Sequence, residues 1–213
     1  MNIPHSDKKR IVIIGGGFAG IALANKLKNK KVQVVLIDKH NYHTFQPLLY
    51  QVATGGLEAG SIAYPLRKVI QEYDDFYFRL TSVKEIDTEN QKISSEIGDL
   101  HYDYLVIATG SKTNYFGNKD IERYSMAMKT IPQSLNIRSF ILENFEQAVL
   151  TTDKADKEAL MNFVLVGAGP TGVELAGALA EMKKAILPKD YPDLDISKMQ
   201  INLIQSESRV LNT

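Results

Sequence analysis

Two short glycine runs hold the residues best suited to chemistry in this chain. The first is Gly15-Gly16-Gly17-Phe18-Ala19-Gly20, and Asp38 follows it at the end of a β-branched stretch. The second is Gly167-Ala168-Gly169-Pro170-Thr171-Gly172. Both have the spacing GxGxxG. In that pattern the first glycine allows a sharp turn, the second lets backbone approach a pyrophosphate, and the third lets a helix pack closely on a strand. A helix that starts there turns unpaired N–H groups and partial positive charge toward the phosphates. Gly17 is therefore the candidate for backbone approach to a pyrophosphate, with Gly15 making the turn and Gly20 the close helix packing, and Asp38 is placed to accept hydrogen bonds from a ribose. The competing reading of such a run is a packing turn. The strand, helix and acid that frame Gly15 favour a nucleotide.

The elements that must position these residues are legible around them. Arg10–Ile14 reads as a strand, Phe18 to about Lys28 as a helix with Ile21, Leu23, Ala24 and Leu27 inward, and Val32–Asp38 as a strand apolar on both faces, as a covered parallel sheet requires. Residues 39–70 mix aromatics, glycines and prolines until a helix expected over Ile62–Gln71. Residues 76–97 alternate and predict a β-meander. The run 101–111 predicts a buried strand ending in Ala108-Thr109-Gly110. Ligands in doubly wound folds sit at the carboxyl ends of strands, so these three are candidates for the same nucleotide, an ordinary strand-to-loop turn being the other reading. Thr130–Pro132 start a helix running to about Leu150, with Ile131, Leu135, Ile137, Ile141, Phe145 and Val149 as its apolar stripe. Phe163–Val166 is a strand, and Pro170 suits the first turn of the helix after it. Residues 187–200 read as a loop, and 201–211 contain the next strand. The expected fold class is α/β, with two Rossmann-like dinucleotide-binding domains, parallel sheets, a small β-meander insertion and an incomplete second domain. The expected division is a loose tail 1–9, a first domain 10–113, a linker 114–120 and a second domain 121–213.

Composition narrows the function classes. Lys and Arg number 25 and Asp and Glu 25, so the net charge is 0. Nucleic-acid partners usually meet a basic field, and this chain has none. There is no cysteine, which removes disulfides, thiolate nucleophiles and Cys-ligated metals from this span. His40 and His43 lie close in sequence, but no acid or cysteine completes a metal set, and hydrogen bonds to cofactor or backbone fit them better; no metal is expected. No run is long and apolar enough to span a bilayer. Two dinucleotide turns in one chain suggest a flavoprotein that takes hydride from a nicotinamide cofactor, chemistry that the cofactors carry and the protein orients.

The chain resembles the two-dinucleotide-binding flavoproteins, and within them the type II NADH:quinone oxidoreductases (non-proton-pumping NADH dehydrogenases). The likeness rests on IVIIGGGFAGIALANKL, NYHTFQPLLYQVATGGL, YLVIATGS and FVLVGAGPTGVELAGALAEM. The FQPLLYQVATG segment discriminates best, because many flavoproteins share the glycines. The resemblance implies FAD at the first turn, contacted by Gly15, Gly17, Phe18, Ala19, Gly20, Asp38, Lys39, His43, Gln51, Ala108, Thr109 and Gly110, with Val83 near the adenine. It implies NADH at the second, contacted by Gly167, Gly169, Pro170, Thr171, Gly172 and Gln205. Glu174 is the catalytic candidate, near nicotinamide and flavin in this family; a carboxylate stabilised by the helix dipole is its plainer role. The implied activity is a respiratory-chain one: hydride from NADH to FAD, then electrons to a membrane quinone, in a peripheral enzyme at the cytoplasmic face of the inner membrane, with a homodimer among its possible assemblies.

Two departures qualify the likeness. The acid expected after the second βαβ unit is Gln205, and Glu207 lies two residues further on. An acid repels the 2′-phosphate of NADPH, whereas an amide discriminates less by charge, so a preference for NADH follows from the resemblance and not from this position. Family chains also continue through a second FAD-contacting segment, a quinone pocket and an amphipathic membrane anchor. The span is expected to be the N-terminal part of such a chain, to meet the membrane surface only through the C-terminal part, and to turn over quinone poorly by itself. A soluble NAD(P)H-dependent reductase of a ferredoxin-like or small acceptor shares both turns, and a non-catalytic NAD(H)-binding module is the reading from another class. Disulfide reductases need a cysteine pair that this span lacks.

Overall fold

The computed structural model describes residues 1–71 and 73–211. Glu72 lies outside the described residues, as do Asn212 and Thr213 at the end of the expected second domain. In chain order the elements are β1 (Lys9–Ile14), α1 (Phe18–Leu27), β2 (Val32–Asp38), β3 (Tyr42–Thr44), α2 (Leu49–Ala53), β4 (Ala63–Pro65), α3 (Leu66–Val69), β5 (Phe76–Leu80), β6 (Val83–Asp87), β7 (Lys92–Ser95), β8 (Leu100–His101), β9 (Tyr104–Ile107), α4 (Lys119–Tyr124), α5 (Ile131–Leu150), α6 (Lys154–Leu160), β10 (Asn162–Val166), α7 (Pro170–Glu181), α8 (Leu187–Asp190) and β11 (Gln200–Ile204). They form two units: Met1–Thr44 with Ala63–Lys112, and Phe45–Ile62 with Thr113–Thr213. Residues 45–62, inside the expected first domain, group with the second unit because α2 packs on α5 and α7 and buries Ala53 in their apolar cluster.

The first unit is built on a parallel sheet of order β5-β2-β1-β9. The chain leaves β1 on one side for β2 and β5, then returns to pair β9 on the other. That reversal makes the carboxyl ends of β1 and β9 the switch point of the sheet, where open α/β folds bind ligands. Strand alternation sends Val12, Ile14, Val35 and Ile37 to one face, against Ile93 and Leu100 of an antiparallel β6-β7-β8 meander. Ile13, Val34, Leu36 and Phe78 pack on the other face with Leu66 and the half-buried Ile21, Leu23 and Leu27 of α1. Both faces of the central β1 and β2 are covered, which explains their unbroken apolar runs, whereas β9, expected to be buried, is an edge strand with Tyr104 and Ile107 exposed.

Three expectations for this unit need correction. Phe76–Leu80 is no part of the meander: it is the edge strand of the parallel sheet, with Phe78 opposite Leu36. Alternation marks a strand but does not name its neighbour. Ile62–Gln71 is not one helix; Ala63–Pro65 pairs with Tyr42–Thr44, and Pro65 then leads into the short α3. Proline presets φ and lacks an N–H, so it ends the strand where the helix begins. Nor is the tail loose. Met1 and Ile3 pack on the meander side of the core. The fully buried Gln33 donates to Pro4 O and Asp75 Oδ1, both at 3.0 Å, and accepts from Arg10 Nε at 2.6 Å.

In the second unit, β10 and β11 pair in parallel. Phe163 and Leu165 face a cluster with Ile137, Ile141, Phe145, Leu179 and Met182, while Val164 and Val166, on the other face, are exposed. Thr130 starts α5 through a capping box with Gln133, which satisfies donors that a helix start leaves open. The buried stripe of α5 is Ile131, Ser134, Ile137, Ile141, Phe145 and Ala148. Leu135 and Val149, expected in that stripe, are exposed; Ser134 and Ala148 hold the intervals of three and four residues that keep one face inward. The expected linker ends inside a helix, since Asn118 Oδ1 accepts from the N–H of Asp120 and Ile121 and caps α4. The expected loop over 187–200 contains α8 and buries Leu187, Leu194, Ile196 and Met199.

Candidate functional site

The first glycine turn is shaped by three strand ends. Gly15 sits at φ +111°, a region that side chains disfavour. Its N–H donates to Ile37 O at 2.7 Å, and a Cβ there would run into the carbonyl of Ala108. Ala108 N–H in turn donates to Ile14 O at 2.8 Å. Gly15 and Ala108 thus face each other at the switch point. A Cβ on Gly20 would overlap the carbonyl oxygen of Gly15, so the third glycine sets how closely α1 approaches β1. Gly17 N-caps α1 without a side chain. A Cβ on it would meet nothing within 4 Å, and Gly17, Phe18 and Ala19 are exposed. The open ground lies at the start of the helix, where the first N–H groups have no partner within the helix itself.

Asp38 ends β2 beside this turn. Its Oδ2 accepts from Gly16 N–H at 2.6 Å and its Oδ1 from His40 N–H at 2.8 Å. Each carboxylate oxygen keeps a further lone pair for a hydroxyl. His43 Nδ1 is 3.1 Å from Gly16 O, and its ring meets Phe18 edge-on at 4.9 Å. Lys39 is exposed next to Asp38. Thr109 and Gly110 follow Ala108 and are exposed, Gly110 at φ +71°. Val83 lies on β6, two residues beyond Thr81, whose N–H donates to Asp38 O at 3.0 Å. Gln51 lies in the second unit, on α2, with its Nε2 donating to Tyr50 Oη at 3.1 Å. A cleft of about 530 Å³ flanks α1, lined by residues that include Ile21, Asn25, Tyr64 and Lys68. It runs along the helix and not across the strand ends, and shares only Phe18 and His43 with the turn.

The second turn repeats the first. Gly167 has φ +101°, and its N–H donates to Ile204 O at 2.8 Å. A Cβ on Gly172 would overlap Gly167 O, and one on Gly169 would stand in open space. Pro170 and Thr171 open α7 exposed, and Glu174 is exposed on the same helix. Gln205 holds the place of Asp38: its Oε1 accepts from Ala168 N–H at 2.9 Å. Its Nε2 donates to the carbonyl of Arg209.

Gly16 is absent from the residues singled out by sequence. Its N–H is the donor that fixes Asp38, and a Cβ on it would press on the side chain of Leu66. The signal was present as a third glycine in the run, which the spacing rule treats as variable. Among the described residues no three of His, Asp and Glu gather in a metal-holding group, and no helix is long and apolar enough to cross a membrane.

Comparisons with known proteins bear on this pair of turns. The family model described as pyridine nucleotide-disulphide oxidoreductase matches residues 9–213. Two curated Mycobacterium tuberculosis (strain ATCC 25618 / H37Rv) proteins are similar over 208 residues, or 96% of this chain: the type II NADH:quinone oxidoreductases NdhA, at 39% identity, and Ndh, at 40%. The chain spans under half of their lengths, 44% and 45%. The structure of NDH2 from Plasmodium falciparum in complex with NADH matches with a TM-score of 0.88 at 27% identity, over 96% of this chain and 43% of that one.

Proposed function

This chain belongs to the pyridine nucleotide-disulphide oxidoreductase family, and from that premise we propose that it is the dinucleotide-binding part of a type II NADH:quinone oxidoreductase, with FAD at the first turn and NADH at the second. The observation that carries the reading is the repeated geometry, in which Asp38 and Gln205 each hold the N–H one residue past the first glycine. The first turn fits a flavin dinucleotide by its own shape: exposed backbone at the start of α1, open space at Gly17, and a carboxylate with acceptor capacity to spare. Bound there, FAD would supply the redox chemistry between NADH and quinone, and the residues of the turn would hold and orient it.

The chain's own residues bind and orient. The N–H groups at Gly17, Phe18 and Ala19 hold the pyrophosphate, and Asp38 accepts from the ribose. Lys39, His43, Gln51, Val83, Ala108, Thr109 and Gly110 complete the flavin contacts. At the second turn Gly167, Gly169, Thr171 and Gly172 give backbone to the NADH pyrophosphate, with Pro170 presetting the first helical turn and Gln205 at the ribose. Glu174 is the candidate catalytic carboxylate, as the family resemblance implies. With no cysteine in the chain, none of this reading passes through a thiol. Peripheral attachment at the cytoplasmic face of the inner membrane, a homodimer, and poor quinone turnover by the 213-residue span alone belong to the same reading.

The test uses the purified chain. It is expected to carry or take up FAD, and NADH added without oxygen is expected to bleach the flavin absorbance. Gly169→Val should leave flavin content unchanged and raise the NADH concentration needed for bleaching. Binding of NADH with no flavin uptake would overturn the enzyme reading in favour of a nucleotide-binding module.

A further inference from the structure

We propose that His43 is a positioning residue at the first turn, holding the Gly16–Gly17 peptide so that the Gly17 N–H is aimed at the pyrophosphate. The inference rests on the proposed placement of FAD at this turn, and gives His43 its part in that binding through the backbone. His43 Nδ1 lies 3.1 Å from Gly16 O. A carbonyl oxygen only accepts, so the nitrogen facing it carries the proton and donates. The Gly16–Gly17 peptide is trans, since the described chain has no cis bond. A planar trans peptide points its C=O and its N–H in opposite directions. With Gly16 O held by His43, the Gly17 N–H therefore points away from His43. Among the described residues that N–H makes no hydrogen bond, and Gly17 is exposed at the start of α1.

This peptide needs an external hold. It is flanked by glycine on both sides, and glycine leaves the torsions about a peptide least restricted. Asp38 Oδ2 takes the Gly16 N–H at 2.6 Å and so fixes the preceding peptide, Gly15–Gly16, but not this one. Rotated the other way, the peptide would turn the Gly16 carbonyl toward the phosphates and lose a donor suited to an anion. His43 is itself held in place. It sits on β3 opposite Tyr64 of β4, and its ring meets Phe18 edge-on at 4.9 Å. Leu66 follows β4, with its N–H on Asn41 O at 2.9 Å and its side chain against Gly16. The β3–β4 hairpin thus clamps the turn from outside the GxGxxG run.

Three substitutions separate this role from direct contact with the ligand. His43→Phe keeps a ring against Phe18 and loses the donor. His43→Asn places an N–H at the same number of bonds from the backbone as Nδ1, and His43→Gln places one at the distance of Nε2. The flavin-free chain is titrated with FAD and read by flavin fluorescence. His43→Phe and His43→Gln should each weaken binding about tenfold, and His43→Asn should stay within about threefold of the parent. In the 1H–15N spectrum of the ligand-free chain, the Gly17 amide should move or broaden in His43→Phe and return in His43→Asn. Undiminished FAD affinity in His43→Phe would overturn the inference. So would equal losses in all three variants, or rescue by Gln and not by Asn, which would put His43 on the ligand through Nε2. If the parent chain binds no FAD, the flavin placement itself fails, while the Gly17 amide still decides whether His43 holds the peptide.

Discussion

The two glycine turns share a hydrogen-bond plan and differ in what stands behind it. At each, the first glycine has a positive φ and donates its N–H to the end of the neighbouring strand, and the third meets the carbonyl of the first. Behind Gly15 a further strand, β9, closes in so that the Ala108 carbonyl fills the space a side chain would need; behind Gly167 nothing described lies within 4 Å. The side chain that ends the second strand is a carboxylate in one case and an amide in the other. The turn's shape is therefore a property of backbone and glycines, while its tightness and charge are set by neighbours. Those neighbours are what separate one dinucleotide turn from another.

The largest test of that difference is a pair of matched substitutions. Gly15→Ala forces a side chain into the left-handed region, at about 1–2 kcal/mol, and also displaces the Ala108 carbonyl and the β1–β9 pairing, for about 1–3 kcal/mol more. Gly167→Ala meets only the first cost. Denaturant titration read by amide exchange in each unit should show the first unit losing roughly twice what the second loses, and flavin retention lost only in Gly15→Ala. Equal losses would mean that the third strand adds nothing at the first turn.

A smaller contrast separates the two side-chain holders. Gly16 is buried, so Asp38→Ala leaves its N–H unsatisfied and removes a hydrogen bond to a charged acceptor, worth about 1.5–3 kcal/mol. Ala168 is buried as well, so Gln205→Ala also leaves an N–H unsatisfied, but the hydrogen bond it removes is to a neutral acceptor, worth about 0.5–1.5 kcal/mol. Asp38→Asn keeps an acceptor and should recover part of the loss. If Asp38→Ala is no worse than Gln205→Ala, the charge at the first turn serves the ligand and not the turn.

Much of this organisation was legible in the chain. The glycine spacings, the β-branched runs and the acid or amide ending each second strand follow local rules, and each was found within a residue or two. What escaped depends on partners distant in sequence. Phe76–Leu80 alternates like a meander strand, yet its buried Phe78 belongs beside Leu36. Residues 45–62 are compositionally a loop around a cofactor, but Val52 and Ala53 are fully buried and Ala53 joins the second unit's cluster. Pro4 in a polar tail gave no local sign of accepting from the buried Gln33. The role of Gly16 was missed for a different reason: its contacts with Asp38 and Leu66 appear only once the turn is folded.

The smallest effect compares the units through proton binding. In the first unit, burial acts against the charge on Asp75, but hydrogen bonds from Gln33, Lys8 and Ser6 outweigh it and hold the carboxyl below the usual aspartate range. A depressed acid stabilises the fold above its unfolded value, about pH 3.9, and loses that contribution as pH falls through the folded value. In the second unit, burial of Tyr191, together with its 3.0 Å hydrogen bond to Glu146 and that carboxylate's charge, pushes the phenol up to about 12. Its contribution is complete below about pH 10 and disappears as pH rises from there toward 12. Acid should therefore loosen the Gln33–Asp75 region, and alkali the Phe145–Tyr191 stack, whose ring centroids lie 5.3 Å apart. Limited proteolysis across pH, with Asp75→Asn and Tyr191→Phe as controls, separates the two. Asp87, Asp99 and Asp103 are also held low in the first unit, so Asp75→Asn should blunt its acid response without abolishing it. Tyr191→Phe should remove the alkaline step between pH 10 and 12, and persistence of that step would assign it to another group.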